Sequence, residues 1–378
     1  MILIIIHVTK PGESLNDLSS LYNVPVEKIC IDNNIDNRKL LTNQAVIIDA
    51  SDNIHPWEKL PIEVVGYVYP TVKTDILEKS LPDLTYLCIF SYAINMDGNP
   101  DMIEDEVIID LALQYQTAPL MVITNKYFSS YIARELLNNK DVQNRLIDNI
   151  IYILKTKNYY GINVDFEYIF PNDRIAYNDF LKRLTSLLDP MGLKVFSSLA
   201  PKVINKNKML CEAHDYKSHG KLSHRVCLMT YEWGYTYSTP MAVSPVNKVM
   251  QVLDYAAALI PAEKTMIGIP NYGYEWRLPW MEGTAATAVT NNTAMEKAVE
   301  SDAEIRFDSG AQTPYFYHYD KHDKLHVTWF EDARSILAKL DTVNRYKIAG
   351  VCYWTTNNPY CQIRFLLRSM YNILKLVE

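Results

Sequence analysis

The residues most suited to chemistry lie in one short stretch, residues 160–167, with the sequence YGINVDFE. Read as a β-strand, this stretch places Asn163, Asp165 and Glu167 on one face and apolar side chains on the other. Unpaired carboxylates are costly to bury, so such a polar row needs either partners or a chemical role. A positioned carboxyl group can act as a general acid and base. The pattern therefore predicts that this strand carries an active site.

The segments on both sides of this strand have helical periodicity. Apolar residues recur at helical spacing before the strand, at positions 142, 146, 150, 153 and 154, and after it, at positions 177, 180, 181, 184, 187 and 188. A strand between two helices is typical of a parallel sheet covered on its faces, where a polar row must point into a barrel or a cleft. The alternative is a half-exposed antiparallel strand, which would alternate in the same way.

Strand and helix patterns repeat along the rest of the chain and predict a (β/α)₈ barrel of the α/β class. The predicted barrel strands are residues 63–69, 84–93, 119–124, 161–168, 193–200, 224–231, 265–270 and 348–354. The last two strands are separated by far more chain than one crossover helix needs. We therefore predict a small α+β insertion at about residues 277–335, in which residues 315–319 and 325–329 form a hairpin. The barrel domain as a whole is assigned to residues 61–378.

Composition and charge narrow the functional classes. Hydrophobic residues make up 48% and charged residues 21% of the 378 positions, which is typical of a globular protein. The net charge of −7 argues against nucleic acid or an anionic membrane as a partner. The 27 tyrosines suit either a surface that stacks on sugar rings or a large β-rich core, and composition does not separate these two interpretations.

Targeting and cofactor motifs are not found in the sequence. The apolar start lacks a basic region and a small-residue cleavage site, and no run reaches transmembrane length, so we expect synthesis without a conventional signal peptide. The six cysteines form no C-x-x-C pair and are interpreted as buried free thiols. No nucleotide or metalloprotease motif is present, and we predict no cofactor and no metal. His318, His322 and His326 are spaced four apart, but a turn sequence separates them, so we do not expect them to converge on a metal.

Residues 1–50 have a pattern of their own. A strand is followed by a turn, and Ser14 with Asp17 resembles a capping box that begins a short helix. A second short helix and a closing strand complete a βααβ unit. Residues 51–60, which include Pro56 and Trp57, read as a polar linker. We therefore expect a separate fold, removable without loss of turnover on small soluble substrates.

Two family resemblances rest on these motifs. Residues 161–167, G-x-N-x-D-x-E, resemble the D-G-x-D-x-D-x-E strand of the family 18 glycoside hydrolases, with Tyr160 and Asn163 in place of the first two aspartates. The runs HVTKPGESLNDLSSLYNV and NNIDNRKLLTNQAVII resemble a LysM domain, a module that binds N-acetylglucosamine polymers such as peptidoglycan and chitin. The alternative for this unit is a structural cap without a ligand.

The family 18 resemblance implies roles for individual residues. Glu167 would be the general acid and then the base, Asp165 would orient the substrate's acetamido group, and Tyr231 would hydrogen-bond the acetamido oxygen. In this family the acetamido carbonyl, rather than a second carboxylate, is the nucleophile. The other implied substrate-binding residues are Asn163, Trp354, Tyr67, Glu232 and Asn271. Asn163 is further expected to hydrogen-bond Asp165, while Tyr231 and Trp354 could alternatively be plain core residues.

A narrower resemblance covers residues 229–276 and 329–335. Both runs are similar to the spore cortex-lytic branch of the family, in which LysM modules precede the barrel. This resemblance implies an N-acetylglucosaminidase that acts on cortex peptidoglycan during germination, in the outer layers (coat and cortex) of an endospore. The alternatives are a catalytically inactive glycan-binding protein of the spore coat and a chitinase.

Overall fold

The computed structural model describes residues 4–35, 39–50, 59–203 and 211–377. Most of the predicted linker, residues 51–58, lies outside these ranges. The strands of the described residues are β1 (Ile4–Val8), β2 (Ala45–Asp49), β3 (Leu60–Val68), β4 (Tyr86–Ile94), β5 (Ala118–Asn125), β6 (Gly161–Val164), β7 (Lys194–Leu199), β8 (Arg225–Leu228), β9 (Thr265–Pro270), β10 (Gly273–Arg277), β11 (Thr287–Val289), β12 (Arg306–Asp308), β13 (Thr313–Tyr319), β14 (Leu325–Trp329), β15 (Gly350–Trp354) and β16 (Tyr371–Ile373). The α-helices are α1 (Leu15–Tyr22), α2 (Val26–Asn33), α3 (Thr74–Ser80), α4 (Glu106–Gln114), α5 (Ser130–Asn138), α6 (Lys140–Thr156), α7 (Arg174–Leu188), α8 (Tyr216–Leu222), α9 (Val246–Ala256), α10 (Asn291–Glu300), α11 (Ala333–Tyr346) and α12 (Cys361–Met370).

The centre of the molecule is a closed barrel of eight parallel strands. Its strand order is β3, β4, β5, β6, β7, β8, β9 and β15, and β15 pairs with β3 to close the ring. Helices cover the outside, and the two that flank β6 bury the faces that their periodicity predicts, with Leu146 and Ile150 of α6 and Phe180 and Leu184 of α7 buried. The predicted (β/α)₈ fold is confirmed.

The strand that carries the acidic residues is shorter than predicted. Regular pairing of β6 with β5 and β7 ends at Val164, whereas the sequence pattern predicts a strand to residue 168. Asp165 still donates its backbone N–H to the carbonyl of Ile123 at 2.9 Å, but the next residues leave the ladder. Glu167 therefore lies on irregular backbone just beyond the carboxyl end of its strand.

An antiparallel sheet is inserted between β9 and α11. Its strand order is β11, β10, β14, β13 and β12, and β13 and β14 form the predicted hairpin. One face of this sheet packs on α10, with Phe316 and Phe330 buried beside Ala294.

The first unit has the predicted βααβ order, in which β1 and β2 pair antiparallel and Ser14 forms a capping box with Asp17. It also makes contacts with the rest of the chain that the sequence pattern does not predict. Leu41 is buried in the apolar cluster of the insertion, and Ile47 belongs to the cluster of the barrel. The Gln362 side chain of α12 also donates to Asn33 Oδ1 at 3.1 Å and to the carbonyl of Ala45 at 3.3 Å. The unit is docked on both the barrel and its insertion.

The barrel interior contains Cys88, Cys227 and Cys352 as buried free thiols, packed with Phe196 and Met266. Throughout the described ranges, helices with the length and apolarity needed to cross a bilayer are not found.

Candidate active site

Two carboxyl groups occupy the centre of the barrel mouth. Asp165 is 4% exposed, and its Oδ1 has no hydrogen-bond partner within the described part of the chain. Burial and the neighbouring charge of Glu167 raise the pKa of Asp165 well above its usual range. Glu167 is less buried, and desolvation together with the charge of Glu232 raises its pKa to about 7. Glu167 is therefore able to hold a proton near neutral pH, as a general acid requires.

A closed hydrogen-bond cycle lies beneath Asp165. Asn163 Nδ2 donates to Tyr67 Oη at 2.5 Å, the hydroxyls of Tyr67 and Ser198 are 3.0 Å apart, and Ser198 Oγ donates to Asn163 Oδ1 at 3.1 Å. All three side chains are buried. Two expectations are corrected here. Asn163 gives its amide hydrogens to Tyr67 and to Cys88 Sγ, the latter at 3.6 Å, and not to Asp165. Neither Asn163 nor Tyr67 is accessible to a substrate, because both side chains are buried and their polar groups bind within the protein.

An aromatic floor borders this centre at the end of β15. Trp354 is partly exposed, and its ring lies 5.4 Å from that of Tyr67, 5.5 Å from that of Tyr69 and 4.7 Å from that of Phe90. Tyr69 and Phe90 were missed in the sequence, although Tyr69 ends the first predicted barrel strand and Phe90 lies within the second. An apolar floor of this kind suits the face of a sugar ring.

Tyr231 lies beyond the end of β8, which stops at Leu228 rather than at the predicted residue 231. Its partner in packing is Gly268 of β9: a Cβ atom at Gly268 would stand 2.5 Å from Tyr231 Cε1. Burial raises the pKa of the Tyr231 hydroxyl well above its usual value, so the group remains a hydrogen-bond donor. The Tyr231 ring can therefore occupy this position only because residue 268 has no side chain.

Glu232 follows directly and adopts a left-handed backbone with φ of 63°. This conformation is uncommon for a residue with a Cβ atom and is often found at functional sites. The hydroxyls of Tyr272 and Tyr274 both donate to its carboxylate, the latter at 3.3 Å. Glu232 is exposed at the mouth of the site, and the two tyrosines fix its charge near Glu167.

Asn271 is placed differently from the expectation. It is 2% exposed, and its Nδ2 donates to the carbonyls of Thr355 at 3.0 Å and Asn358 at 2.6 Å. Its Oδ1 accepts from Asn291 at 3.3 Å. Because the amide is fully used within the protein, Asn271 fixes the loop that follows Trp354 and does not contact substrate.

Comparison with known proteins identifies this arrangement. The model of the family "Glycosyl hydrolases family 18" matches residues 63–358, and the LysM domain model matches residues 7–49. The chain belongs to glycosyl hydrolase family 18. It is a glycosidase, as the resemblance of residues 161–167 implies.

Several relatives of this family 18 chain are known. A protein named cortical fragment-lytic enzyme from Bacillus subtilis is 38% identical over 299 residues, which are 78% of this chain and 69% of the relative. The crystal structure of the Bacillus cereus spore cortex-lytic enzyme SleL superposes with a TM-score of 0.92 at 31% identity and covers 98% of this chain and 99% of that one. The putative sporulation-specific glycosylase YdhD of Bacillus subtilis is 27% identical, covering 98% of this chain and 99% of YdhD.

Two of the three spaced histidines of this family 18 chain do meet. His318 and His326 are cross-strand partners in β13 and β14, with ring centroids 5.3 Å apart. Both face Glu275, which also binds Lys297 at 2.8 Å, while His322 is exposed in the turn. Across the described ranges, the His, Cys, Asp and Glu side chains do not form a group of three or more that could hold a metal ion.

Proposed function

We propose that this chain hydrolyses N-acetylglucosaminyl bonds of spore cortex peptidoglycan during germination, with retention of configuration and with the substrate's own acetamido group as nucleophile. The names of its relatives support the substrate class. The retained Asp165, Glu167 and Tyr231 support an active enzyme over a catalytically inactive glycan-binding protein of the spore coat, which is the alternative.

The observation that carries this mechanism is the buried Asp165 carboxyl with its unpartnered Oδ1. A second carboxylate that attacks the sugar must lie across the ring, about 5 Å from the acid. Asp165 precedes Glu167 by two residues on the same side of the barrel: its N–H still bonds the carbonyl of Ile123 of β5, whereas Glu167 has left the ladder at the carboxyl end, so Asp165 is beneath the acid rather than opposite. A buried oxygen without a partner is costly, and the N–H of a bound acetamido group would satisfy it.

In the first step Glu167 donates its proton to the glycosidic oxygen as the bond from that oxygen to C1 breaks. The acetamido carbonyl oxygen forms a new bond to C1, and the resulting oxazolinium places positive charge beside Asp165. The positive charge lowers the pKa of Asp165, which burial raises in the free protein, and the Asp165 carboxylate so favoured stabilises that charge. In the second step Glu167 takes a proton from water, the water oxygen bonds C1, and the bond to the acetamido oxygen breaks.

The surrounding residues support the same reaction. Tyr231 would donate its hydroxyl hydrogen to the acetamido oxygen and orient it toward C1. Trp354 would lie under the reacting sugar. The docked LysM unit would bind the same polymer, and the protein would act in the outer layers of the spore.

The position of the new reducing end tests the substrate assignment. Muramic acid carries a lactyl group, and where this closes into a lactam with the amine, the sugar has no acetamide to serve as nucleophile. Hydrolysis should therefore follow N-acetylglucosamine. Cortex material is digested, reduced with borohydride and analysed by mass spectrometry. Fragments that end in reduced N-acetylglucosamine are expected, whereas muramitol ends would show a muramidase and contradict the proposal.

Two controls accompany this digest. Glu167→Gln should lose about 10²–10⁴-fold in rate, since the amide cannot donate the proton, whereas the exposed helical change Glu78→Gln should leave the rate unchanged. Chitin of matched chain length is digested in parallel. A higher kcat/KM on chitin than on cortex fragments would favour a chitinase.

A further inference from the structure

The backbone that carries Glu167 has left the sheet, so its hydrogen bonds must be made elsewhere. The last ladder bond of this segment joins the N–H of Asp165 to the carbonyl of Ile123. Buried peptide groups without partners are costly. The Phe166 carbonyl and the N–H and carbonyl of Glu167 bind two side chains, His214 and Asn125.

Asn125, at the end of β5, binds both peptide groups of Glu167. Its Oδ1 accepts from the Glu167 N–H at 2.9 Å, and its Nδ2 donates to the Glu167 carbonyl at 3.0 Å. The second amide hydrogen goes to the carbonyl of Ser129 at 3.1 Å. A side-chain amide has the same donor and acceptor as a peptide group. Asn125 therefore replaces, beyond the end of β6, the pair of backbone hydrogen bonds that a neighbouring strand would make.

His214 binds the same segment from the β7 side. Its Nδ1 accepts from the backbone N–H of Ala200 at 2.8 Å, so Nδ1 carries no hydrogen. The hydrogen is then on Nε2, which donates to the carbonyl of Phe166 at 3.0 Å. The ring is 1% exposed, and burial lowers its pKa to about 4, which keeps this neutral tautomer at neutral pH.

The Phe166 side chain provides a third anchor. It points away from the site, is fully buried and stacks on Tyr177 and Phe180 at ring distances of 6.0 and 5.7 Å. The backbone between the two acids is thus held by Asn125 of β5, by His214 from the segment before α8, and by the packing of the Phe166 ring.

We propose that Asn125 and His214 are positioning residues for the general acid, which fix the backbone of Glu167 relative to the glycosidic oxygen. This inference rests on the proposed role of Glu167. A displacement of about 1 Å in a catalytic group is enough to cost about 100-fold in rate. Proton donation should suffer most, because it requires the closest approach.

The leaving group separates positioning from a purely structural role. A para-nitrophenyl glycoside of an N-acetylglucosamine oligomer departs with little help from an acid, whereas a sugar leaving group needs the proton. Asn125→Leu and His214→Phe should each lower kcat on an N-acetylglucosamine oligosaccharide by about 10- to 100-fold, but kcat on the aryl glycoside by about threefold or less. His214→Gln, which keeps a donor near the Nε2 position, should recover most of the loss.

Thr117→Val is the matched control. Thr117 is buried directly before β5, at the other end of that strand, and donates to the carbonyl of Leu81 at 2.9 Å. Its removal should lower the Tm without changing the ratio of the two rates. If Asn125→Leu yields no folded protein, Asn125→Ser removes the same pair of bonds and replaces it in both assays.

Equal losses on both substrates, or no loss, in the Asn125 and His214 variants would overturn the proposal. Glu167→Gln is measured in the same assays. If Glu167→Gln loses more activity on the oligosaccharide than on the aryl glycoside and the Asn125 and His214 variants do not, only the positioning role is contradicted. If Glu167→Gln also shows no such difference, the assignment of the acid fails.

Discussion

The proton on Glu167 depends on two features of its surroundings. Burial disfavours the carboxylate, and the charge of Glu232, held by Tyr272 and Tyr274, disfavours it further. Both effects raise the pKa to about 7. Under the proposed role of Glu167 as the general acid, the group must be protonated in the free enzyme, so kcat/KM on an unactivated glycan should fall as the pH rises through this value.

Removal of the Glu232 charge should shift the alkaline limb of the pH profile, which is the fall of kcat/KM as the pH rises. Glu232→Gln takes away a negative neighbour, so the carboxylate of Glu167 becomes more favourable and its pKa falls. We expect the limb of kcat/KM to shift to lower pH, by about half a unit or more, whatever the change in absolute rate. The measurement is a pH profile of both proteins, with Glu78→Gln as the control that leaves the limb in place. An unmoved limb in Glu232→Gln would show that the two carboxyl groups are not coupled.

For individual residues, the sequence predicts which side chains face the site but not which groups they bind. The period of two places Asn163, Asp165 and Glu167 on one face. The partners of Asn163, however, come from the adjacent strand β7 and from β3 and β4, which do not pair with β6. Local periodicity contains no information about which side chains meet across a barrel, and for that reason Asn163 was assigned to Asp165 and Asn125 and His214 were missed.

The barrel strands are recognisable in the sequence because apolar runs alternate with helical patterns. The point at which a ladder ends is not recognisable, because it depends on how far both neighbouring strands continue. For β6 this end falls at Val164, before the acids, and for β8 at Leu228, before Tyr231. The side chains that we propose to be catalytic thus stand on backbone that directly follows the strands and is not part of them.

Gly268 offers a test of how β9 positions Tyr231. Alanine at residue 268 would place its Cβ 2.5 Å from the Tyr231 ring, so the ring must move. We expect Gly268→Ala to fold and to lower kcat by about tenfold or more, since Tyr231 is proposed to orient the acetamido group and its displacement would misalign that group in the transition state. Gly310→Ala is the control, because a Cβ there makes only an ordinary contact at 3.4 Å. Full activity of Gly268→Ala would indicate that the position of Tyr231 is not critical.

For the whole molecule, the docking of the first unit changes what its removal would do. The sequence indicates a βααβ module followed by a polar segment, and such a pattern does not reveal whether the module packs on its neighbour. Leu41 is 3% exposed and is part of the apolar cluster of the insertion, which also contains Phe316 and Phe330. Deletion of residues 1–50 would uncover this apolar surface, and we no longer expect it to be neutral for the catalytic domain.

A pair of leucines measures the contribution of this interface. Leu41→Ala should lower the free energy of unfolding by about 2–5 kcal/mol, as expected for a buried leucine, and the first unit and the barrel should unfold together. Leu21→Ala, on the exposed face of α1 with 64% of the residue accessible, should change it by about 0.5 kcal/mol or less. Thermal and denaturant unfolding check both. Equal stability of the two variants would mean that the interface contributes little.

Docking also gives the protein a fixed span. A flexibly tethered module raises the local concentration of the cleft for strands of every length. A docked module would hold a fixed distance between a glycan bound to the first unit and the glycosidic bond beside Glu167. The protein would therefore distinguish glycan strands by their length. Under the proposed function, strands too short to reach both places should all be cut at one low rate. The rate should then rise abruptly at one length, which digestion of length-fractionated glycan strands would reveal as a step rather than a slope.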